Sequence, residues 1–373
     1  MNYRTFEKTG QKVSLLGFGA MRFPTVNGEI EPIQSQKMID LAYENGVNYY
    51  DTAYGYHDGK SQSFLGQALK KYPRDSFFIT NKLPIWACDT PEDLERVFQD
   101  QLEKCQVTYF DFYLLHALDS EKYAKCEKLG AYDFIKDKQA QGKIKNIGFS
   151  FHDTPECLEK ICSEHQWDFA QLQINYLDWE YQQAKEQYEI LCKYNIPCVV
   201  MEPARGGALS NLSGDANQVL LDYAPNQSIT SWAMKYVASL PNVLTVLSGM
   251  SLEEHVLDNI KTFDEFQPLT DEEQALIQKA LTIHKKTSLI PCTECKYCID
   301  CPASVNIPEM FKIYNNYMLS KYKDGFVNAR KEKSDCDDSL CIECGACMEK
   351  CPQKIAIPQR LKEIGALFQE FTK

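Results

Sequence analysis

The sequence predicts an α/β chain: a (β/α)8 TIM barrel followed by a small, cysteine-rich α-helical module. Two observations carry that reading. Eight short β-rich runs alternate with helical stretches, and nine of the sixteen cysteines crowd into the residues after 290. At 373 residues, 44% hydrophobic and 25% charged, the chain is long enough to bury a large barrel core with a smaller unit beside it.

The β-rich runs are LLGFG (15–19), VNYYD (47–51), FFITNK (77–82), FDFYLLH (110–116), IKNIGFS (144–150), FAQLQIN (169–175), PCVVMEP (197–203) and VLTVLSG (243–249). Between them lie stretches with helical apolar spacing, such as 35–45, 91–105 and 184–194. Strand–helix units of about 30 residues match the typical size of such a barrel. Ahead of the first unit, YRTFEKTGQKVSLL reads as a hairpin turning at Thr9-Gly10, placed to plug the barrel's bottom. The expected division is a barrel over 1–265, a linker helix within 266–290 that starts at Thr270 with acids in its first turn, and a cysteine module over 291–373.

Charge and hydropathy narrow the function classes. A formal net charge of -12 argues against a nucleic-acid-binding face, which needs Lys and Arg opposite phosphate. No stretch reaches the ~18 apolar residues of a membrane span, and MNYRTFEKTGQ lacks a charged segment followed by an apolar run, so a cytoplasmic protein is expected. Cys88, Cys105, Cys126, Cys157, Cys162, Cys192 and Cys198 fall in helix-like or strand-like runs and read as reduced, buried thiols.

Barrel enzymes keep their chemistry at the C-terminal ends of the strands. Here strand two ends in DTAYGY, strand three in NK and strand four in H, which brings Asp51, Tyr56, Lys82 and His116 to one rim. That set suits carbonyl reduction: Tyr56 donates a proton, Lys82 tunes it, Asp51 holds Lys82, and His116 orients the carbonyl and stabilises oxyanion charge. A free tyrosine has a pKa near about 10, so donation near neutrality needs a decrease of about 2 to 3, roughly 3 to 4 kcal/mol. A lysine a few ångströms away in a site drier than water supplies that much.

On these residues the sequence resembles the aldo-keto reductase family. DTAYGY reproduces the family's Asp-to-Tyr spacing, TNKL its lysine strand, YLLH its histidine strand and LLGFGAMRF its opening turn, over about residues 3–264. The resemblance implies that Asp51, Tyr56, Lys82 and His116 form the catalytic tetrad, with Tyr56 as general acid. It also implies an NAD(P)H coenzyme across the barrel mouth, at Ala20, Met21, Asp51, Ser150, Gln173, Met201, Glu202, Pro203, Arg205, Ser248, Gly249, Met250 and Asn259. Phe151 stands where an asparagine is common, and Glu202 where relatives stack an aromatic ring on nicotinamide. SGMSLEEHVLDNI keeps Asn259 without a Lys or Arg for a 2′-phosphate, so NADH is expected at least as readily as NADPH, with flavin a further candidate. Tyr54, Trp86, Phe151 and Trp179 are candidates for an aromatic pocket wall.

The end of the chain carries CTECKYCIDCP and CIECGACMEKCP. The second run, Cys341, Cys344, Cys347 and Cys351 before Pro352, matches the bacterial ferredoxin spacing. Cys292, Cys295, Cys298 and Cys301 before Pro302 supply a second run, one residue shorter between its last cysteines. The pair resembles a ferredoxin-like module with two 4Fe-4S clusters, which implies a crossed ligation: Cys292, Cys295 and Cys298 with Cys351, and Cys341, Cys344 and Cys347 with Cys301. A zinc ribbon is the alternative, and Cys336 is spare.

Together these readings give the iron-sulfur subgroup of the aldo-keto reductases: an oxidoreductase acting on a small carbonyl or alcohol, coupled to or stabilised by two 4Fe-4S clusters. The alternative is an electron-transfer protein with a flavin-binding or docking barrel. A one-electron carrier such as ferredoxin or flavodoxin is an expected partner, with neither nucleic acid nor membrane.

Overall fold

Eight parallel strands close on themselves, each hydrogen-bonded to two neighbours. The structure, a computed structural model, describes residues 1–264, 266–286 and 289–372. The expected barrel boundary at 265, positions 287 and 288 of the expected 266–290 linker, and residue 373 lie outside the described residues.

In chain order the strands are β1 (Tyr3–Phe6), β2 (Gln11–Ser14), β3 (Leu16–Gly19), β4 (Thr25–Val26), β5 (Glu29–Ile30), β6 (Tyr49–Asp51), β7 (Phe78–Leu83), β8 (Phe110–Leu118), β9 (Ile144–Phe151), β10 (Phe169–Gln173), β11 (Cys198–Met201) and β12 (Val243–Ser248). The barrel runs β3-β6-β7-β8-β9-β10-β11-β12 and closes β12 onto β3 through Val246 opposite Leu16. All eight expected strands form.

Side chains alternate across a strand with a period of two, so every second residue faces the barrel axis. Phe6, Tyr49, Phe78, Phe112, Phe169, Val199 and Leu244 form one buried cluster along that axis. Phe6 enters it from the β1–β2 hairpin, its ring 5.5 Å from that of Phe112. The hairpin turns as expected at Thr9-Gly10, where Gly10 takes a left-handed φ of 69°. Gly148 is required by the same packing, because a Cβ there would lie 2.5 Å from the Phe169 carbonyl oxygen.

The outward-facing residues pack under helices. Pro91–Cys105 is fixed at its start by a Thr90/Asp93 capping box and buries Leu94, Val97, Phe98 and Leu102. Helices also form at Pro32–Glu44 and Ala184–Lys193, near the expected stretches.

Chain contacts divide the protein into two units. One comprises 1–204 with 231–271, the other 205–230 with 272–373. The second is helical, with no strand among its described residues: Gly214–Tyr223, Asp271–His284 from its second residue on, Ile307–Ser320, Lys323–Lys331 and Ile357–Thr372 are its longer helices. Its core joins Val305, Met310, Phe311, Phe326, Ile355, Leu361 and Ile364. Arg330 is buried between two carboxylates, 2.6 Å from Asp338 Oδ1 and 3.2 Å from Asp337 Oδ2.

The expected iron-sulfur character of this unit is corrected by its structure. Among the described residues no group of three or more His, Cys, Asp or Glu is gathered so as to hold a metal ion. Cys298, Cys301, Cys341, Cys344 and Cys347 line one partly open cleft, and Cys351 is buried while Cys344 is exposed. Spacing along the chain sets how far apart the thiols can lie and leaves their convergence to the loops. The two 4Fe-4S clusters, the ferredoxin-like domain, the cluster ligation by Cys292, Cys295, Cys298, Cys301, Cys341, Cys344, Cys347 and Cys351, and the iron-sulfur subgroup are therefore set aside. The structure leaves a helical C-terminal unit. Among the described residues no helix is long and apolar enough to cross a membrane.

Candidate active site

Three inner-wall alternations carry polar groups up to the barrel's C-terminal rim. Above Tyr49 comes Asp51, above Thr80 comes Lys82, and above Leu114 comes His116. Lys82 is fully buried, and its ammonium donates to Asp51 Oδ1 at 2.6 Å and to the Thr52 carbonyl at 2.9 Å. Its third near neighbour is the Tyr56 hydroxyl at 3.5 Å. Burial pushes the Asp51 carboxyl up and the Lys82 ammonium down, and their mutual attraction opposes both shifts.

The backbone around Lys82 is held from the helix side. Gln101 Nε2 donates to the Lys82 carbonyl at 2.8 Å, Asn81 Oδ1 accepts the Lys82 amide at 2.9 Å, and Asn81 Nδ2 donates to Gln62 at 3.0 Å. These buried amides fix the strand end that aims the lysine.

His116 owes its direction to a β-bulge. The β8–β9 register shifts between Leu115 and Leu118, and Ala117 takes a φ of 55° while its N–H donates to Ser150 Oγ at 2.7 Å. The imidazole lies edge-on to Tyr56, ring centroids 6.3 Å apart, and 4.8 Å from the Trp86 ring. Burial first, and then the Lys82 charge, holds its pKa well below the usual imidazole value. Among the described residues, His116 Nδ1 and Asp51 Oδ2 are buried with no hydrogen-bond partner.

The expected coenzyme contacts fall in several places. Ala20 and Met21 follow β3, where the Ala20 N–H donates to the Asp51 carbonyl at 2.8 Å and its carbonyl accepts from Ser61 Oγ at 2.7 Å. Met201 ends β11, and Glu202 and Pro203 follow it. Glu202 has a φ of 55° and pairs with Arg22 at 3.4 Å. Ser248 ends β12, with Gly249 and Met250 after it, and Asn259 donates to Ser248 Oγ at 2.9 Å while its own Oδ1, buried, has no partner among the described residues. Gln173 Nε2 donates to the buried Asp178 at 2.8 Å. Arg205 belongs to the other unit, buried and 3.4 Å from Gln353. Of the four aromatic wall candidates, only Trp86, 45% exposed, stands against His116. Phe151 is buried beside Phe149, Trp179 packs on Tyr188 and Tyr236, and Tyr54 lies under Lys104. Asp178 and Arg22 were missed by the sequence reading. The first hides in a short helical turn, and the second sits in a loop whose partner is far away in sequence.

A sequence model of the aldo/keto reductase family matches residues 15–282, most of the chain. The chain belongs to the aldo/keto reductase family. It is an oxidoreductase of that type. A solved aldo-keto reductase from Bacillus halodurans, in its holo form, is 24% identical over 75% of this chain and 96% of its own, with a TM-score of 0.62. A thermostable aldo-keto reductase in complex with the inhibitor epalrestat is 23% identical over 75% of this chain and all of its own, TM-score 0.61. One from Klebsiella pneumoniae, in complex with NADP and acetate, is 21% identical over 73% and 92%, TM-score 0.59. At these identities the solved structures speak for the fold.

A model of a 4Fe-4S dicluster domain also matches residues 291–356. The match covers both cysteine runs, whereas the positions of the side chains provide no metal-holding group among the described residues. The expectations built on the clusters fall with them. Coupling to 4Fe-4S clusters, the electron-transfer alternative and a ferredoxin or flavodoxin partner each needed a one-electron centre in this chain. The expected flavin, named both as a further coenzyme candidate and as the cofactor of the electron-transfer alternative, is set aside with them, because no finding supports it.

Proposed function

We propose that the barrel reduces a small carbonyl compound, or oxidises the corresponding alcohol, with a nicotinamide coenzyme, and that Asp51, Tyr56, Lys82 and His116 carry the chemistry. The observation behind this reading is the buried Lys82 ammonium, 2.6 Å from Asp51 and 3.5 Å from the Tyr56 hydroxyl. A bound coenzyme supplies the hydride. Tyr56 gives its hydroxyl proton to the carbonyl oxygen as charge develops there, and the adjacent ammonium stabilises the tyrosinate left behind. Asp51 keeps Lys82 charged and aimed. His116, kept neutral by its surroundings, offers one ring N–H to the carbonyl oxygen.

The residues present fit a nicotinamide dinucleotide. Asn259 Oδ1 is a buried acceptor without a partner among the described residues, and Ser150 and Gln173 sit at the ends of neighbouring strands β9 and β10. The other strand-end positions, Ala20, Met21, Met201, Glu202, Pro203, Ser248, Gly249 and Met250, complete the proposed coenzyme face. The helix Glu253–Phe263 has Glu253 and Glu254 in its first turn, charges that oppose a 2′-phosphate, so NADH is the favoured coenzyme. We also assign the chemistry to the barrel, within residues 1–265. Sixteen unbridged thiols fit a reducing, cytoplasmic compartment.

Tyr56→Phe tests the reading. Loss of the acid is expected to lower kcat/KM for carbonyl reduction by at least about 10³-fold with coenzyme affinity unchanged. A variant that retains wild-type turnover overturns it.

A further inference from the structure

The polar groups beneath the proposed nicotinamide face form a chain whose hydrogen-bond directions are forced by chemistry. Asn175 Oδ1 accepts the backbone N–H groups of Leu177 at 3.1 Å and Asp178 at 2.8 Å. Its amide nitrogen must therefore point the other way, and it donates to Asp178 Oδ2 at 2.7 Å and to the Glu202 carbonyl at 3.1 Å. Asp178 is fully buried. The same Oδ2 also accepts from Gln173 Nε2 at 2.8 Å, so Gln173 presents its NH2 end to Asp178. The carbonyl end of the Gln173 amide is then turned away from Asp178. A carbonyl oxygen has two lone pairs, so it can take a ligand's donor in addition to any neighbour it already serves.

We infer that Asp178 is a positioning residue that locks the Gln173 side-chain amide with its oxygen outward, making the site select the carboxamide of nicotinamide, an N–H donor, over the carboxylate of a nicotinic acid coenzyme. The inference rests on the nicotinamide reading above. The selection has two parts. A carboxamide donates to Gln173 Oε1, whereas a carboxylate meets a lone pair there and leaves two buried acceptors facing each other. A buried Asp178 behind Gln173 supplies the acceptor that makes the opposite amide orientation costly, because a flipped Gln173 would set its oxygen against the carboxylate. The Asn175 bond to the Glu202 carbonyl ties the same arrangement to the end of β11, where Glu202 holds its left-handed φ and pairs with Arg22.

The test is a binding titration of the full-length protein with three ligands. These are whichever of NAD⁺ and NADP⁺ binds, its nicotinic acid analogue, and the matching ADP-ribose fragment, which lacks the pyridine ring. Wild type should prefer the amide coenzyme over the acid. In Asp178→Asn, residue 178 offers both a donor and an acceptor, Gln173 can turn either way, and the amide-to-acid preference should fall by about tenfold with ADP-ribose affinity unchanged. Gln173→Met separates orientation from charge and covers a failure of the first variant to fold. It keeps Asp178 but removes the amide, so the preference should collapse there too. A preference kept at the wild-type level in either folded variant overturns the inference. A wild-type protein that binds none of the three ligands overturns the nicotinamide reading itself, and the inference with it.

Discussion

Replacing Lys82 by methionine separates its two roles, because the ammonium serves both the chemistry and the stability of the barrel mouth. At 3.5 Å from the Tyr56 hydroxyl, a unit charge in a medium of effective dielectric about 20 is worth about 4 to 5 kcal/mol to a developing tyrosinate. Asp51, 2.6 Å from the same ammonium, takes back part of that, so the expected loss in kcat/KM is about 10²- to 10³-fold. Stability suffers separately. Breaking a buried ion pair costs about 3 to 5 kcal/mol, because the remaining charge is stranded. Burial already pushes the Asp51 carboxyl up, and without Lys82 nothing opposes it. The folded Lys82→Met protein then binds a proton that the unfolded chain releases above about pH 4, so its stability should fall as pH rises. Urea unfolding at pH 5 and pH 8 reads this directly, and an Asp51→Asn/Lys82→Met double variant should recover much of the lost stability without recovering activity. A Lys82→Met protein with kcat/KM within about threefold of wild type and unfolding free energy within about 0.5 kcal/mol would refute both roles.

Other outcomes follow from the same geometry. With its pKa held well below the usual value by burial and the Lys82 charge, His116 stays neutral, so the pH profile of kcat/KM should show no His116 limb near about pH 6.5. A limb there that vanishes in His116→Gln contradicts this. Phe6→Ala removes the ring that closes the barrel floor against Phe112 and should cost about 3 to 5 kcal/mol in urea unfolding. A loss under about 1 kcal/mol would mean that the hairpin covers the floor without sealing it.

The barrel was legible because its strands are short, β-rich and bounded by polar turns, and because a period of two puts Asp51, Lys82 and His116 on the inner wall once the strands are placed. The β8 bulge was not: the sequence run stops at His116, while the strand continues to Leu118 through a left-handed Ala117 that no propensity signals. The small hairpin of β4 and β5 turns at Asn27-Gly28, a strong turn pair that its two-residue strands made easy to pass over. Residues 205–230 belong with the helical unit despite lying between two barrel strands, a long-range assignment invisible to local pattern. The cysteine runs mislead for the same reason, since spacing fixes neither loop direction nor the meeting of sulfurs. A better guide to that region was a duplication, CPASVNIPEMF and CPQKIAIPQRL, in which a helix opens at Ile-Pro six residues after each Cys.

The central claim, hydride transfer from a nicotinamide coenzyme to a carbonyl at the Tyr56–Lys82 site, is tested most directly by following the hydrogen. Reduced coenzyme carrying deuterium on the C4 carbon of its dihydronicotinamide ring is turned over with a panel of aldehydes and ketones, and the alcohols are examined by mass spectrometry. The account predicts one deuterium on the carbinol carbon for each coenzyme oxidised. Alcohol formed without the label, or no coenzyme oxidised with any carbonyl in the panel, would contradict it.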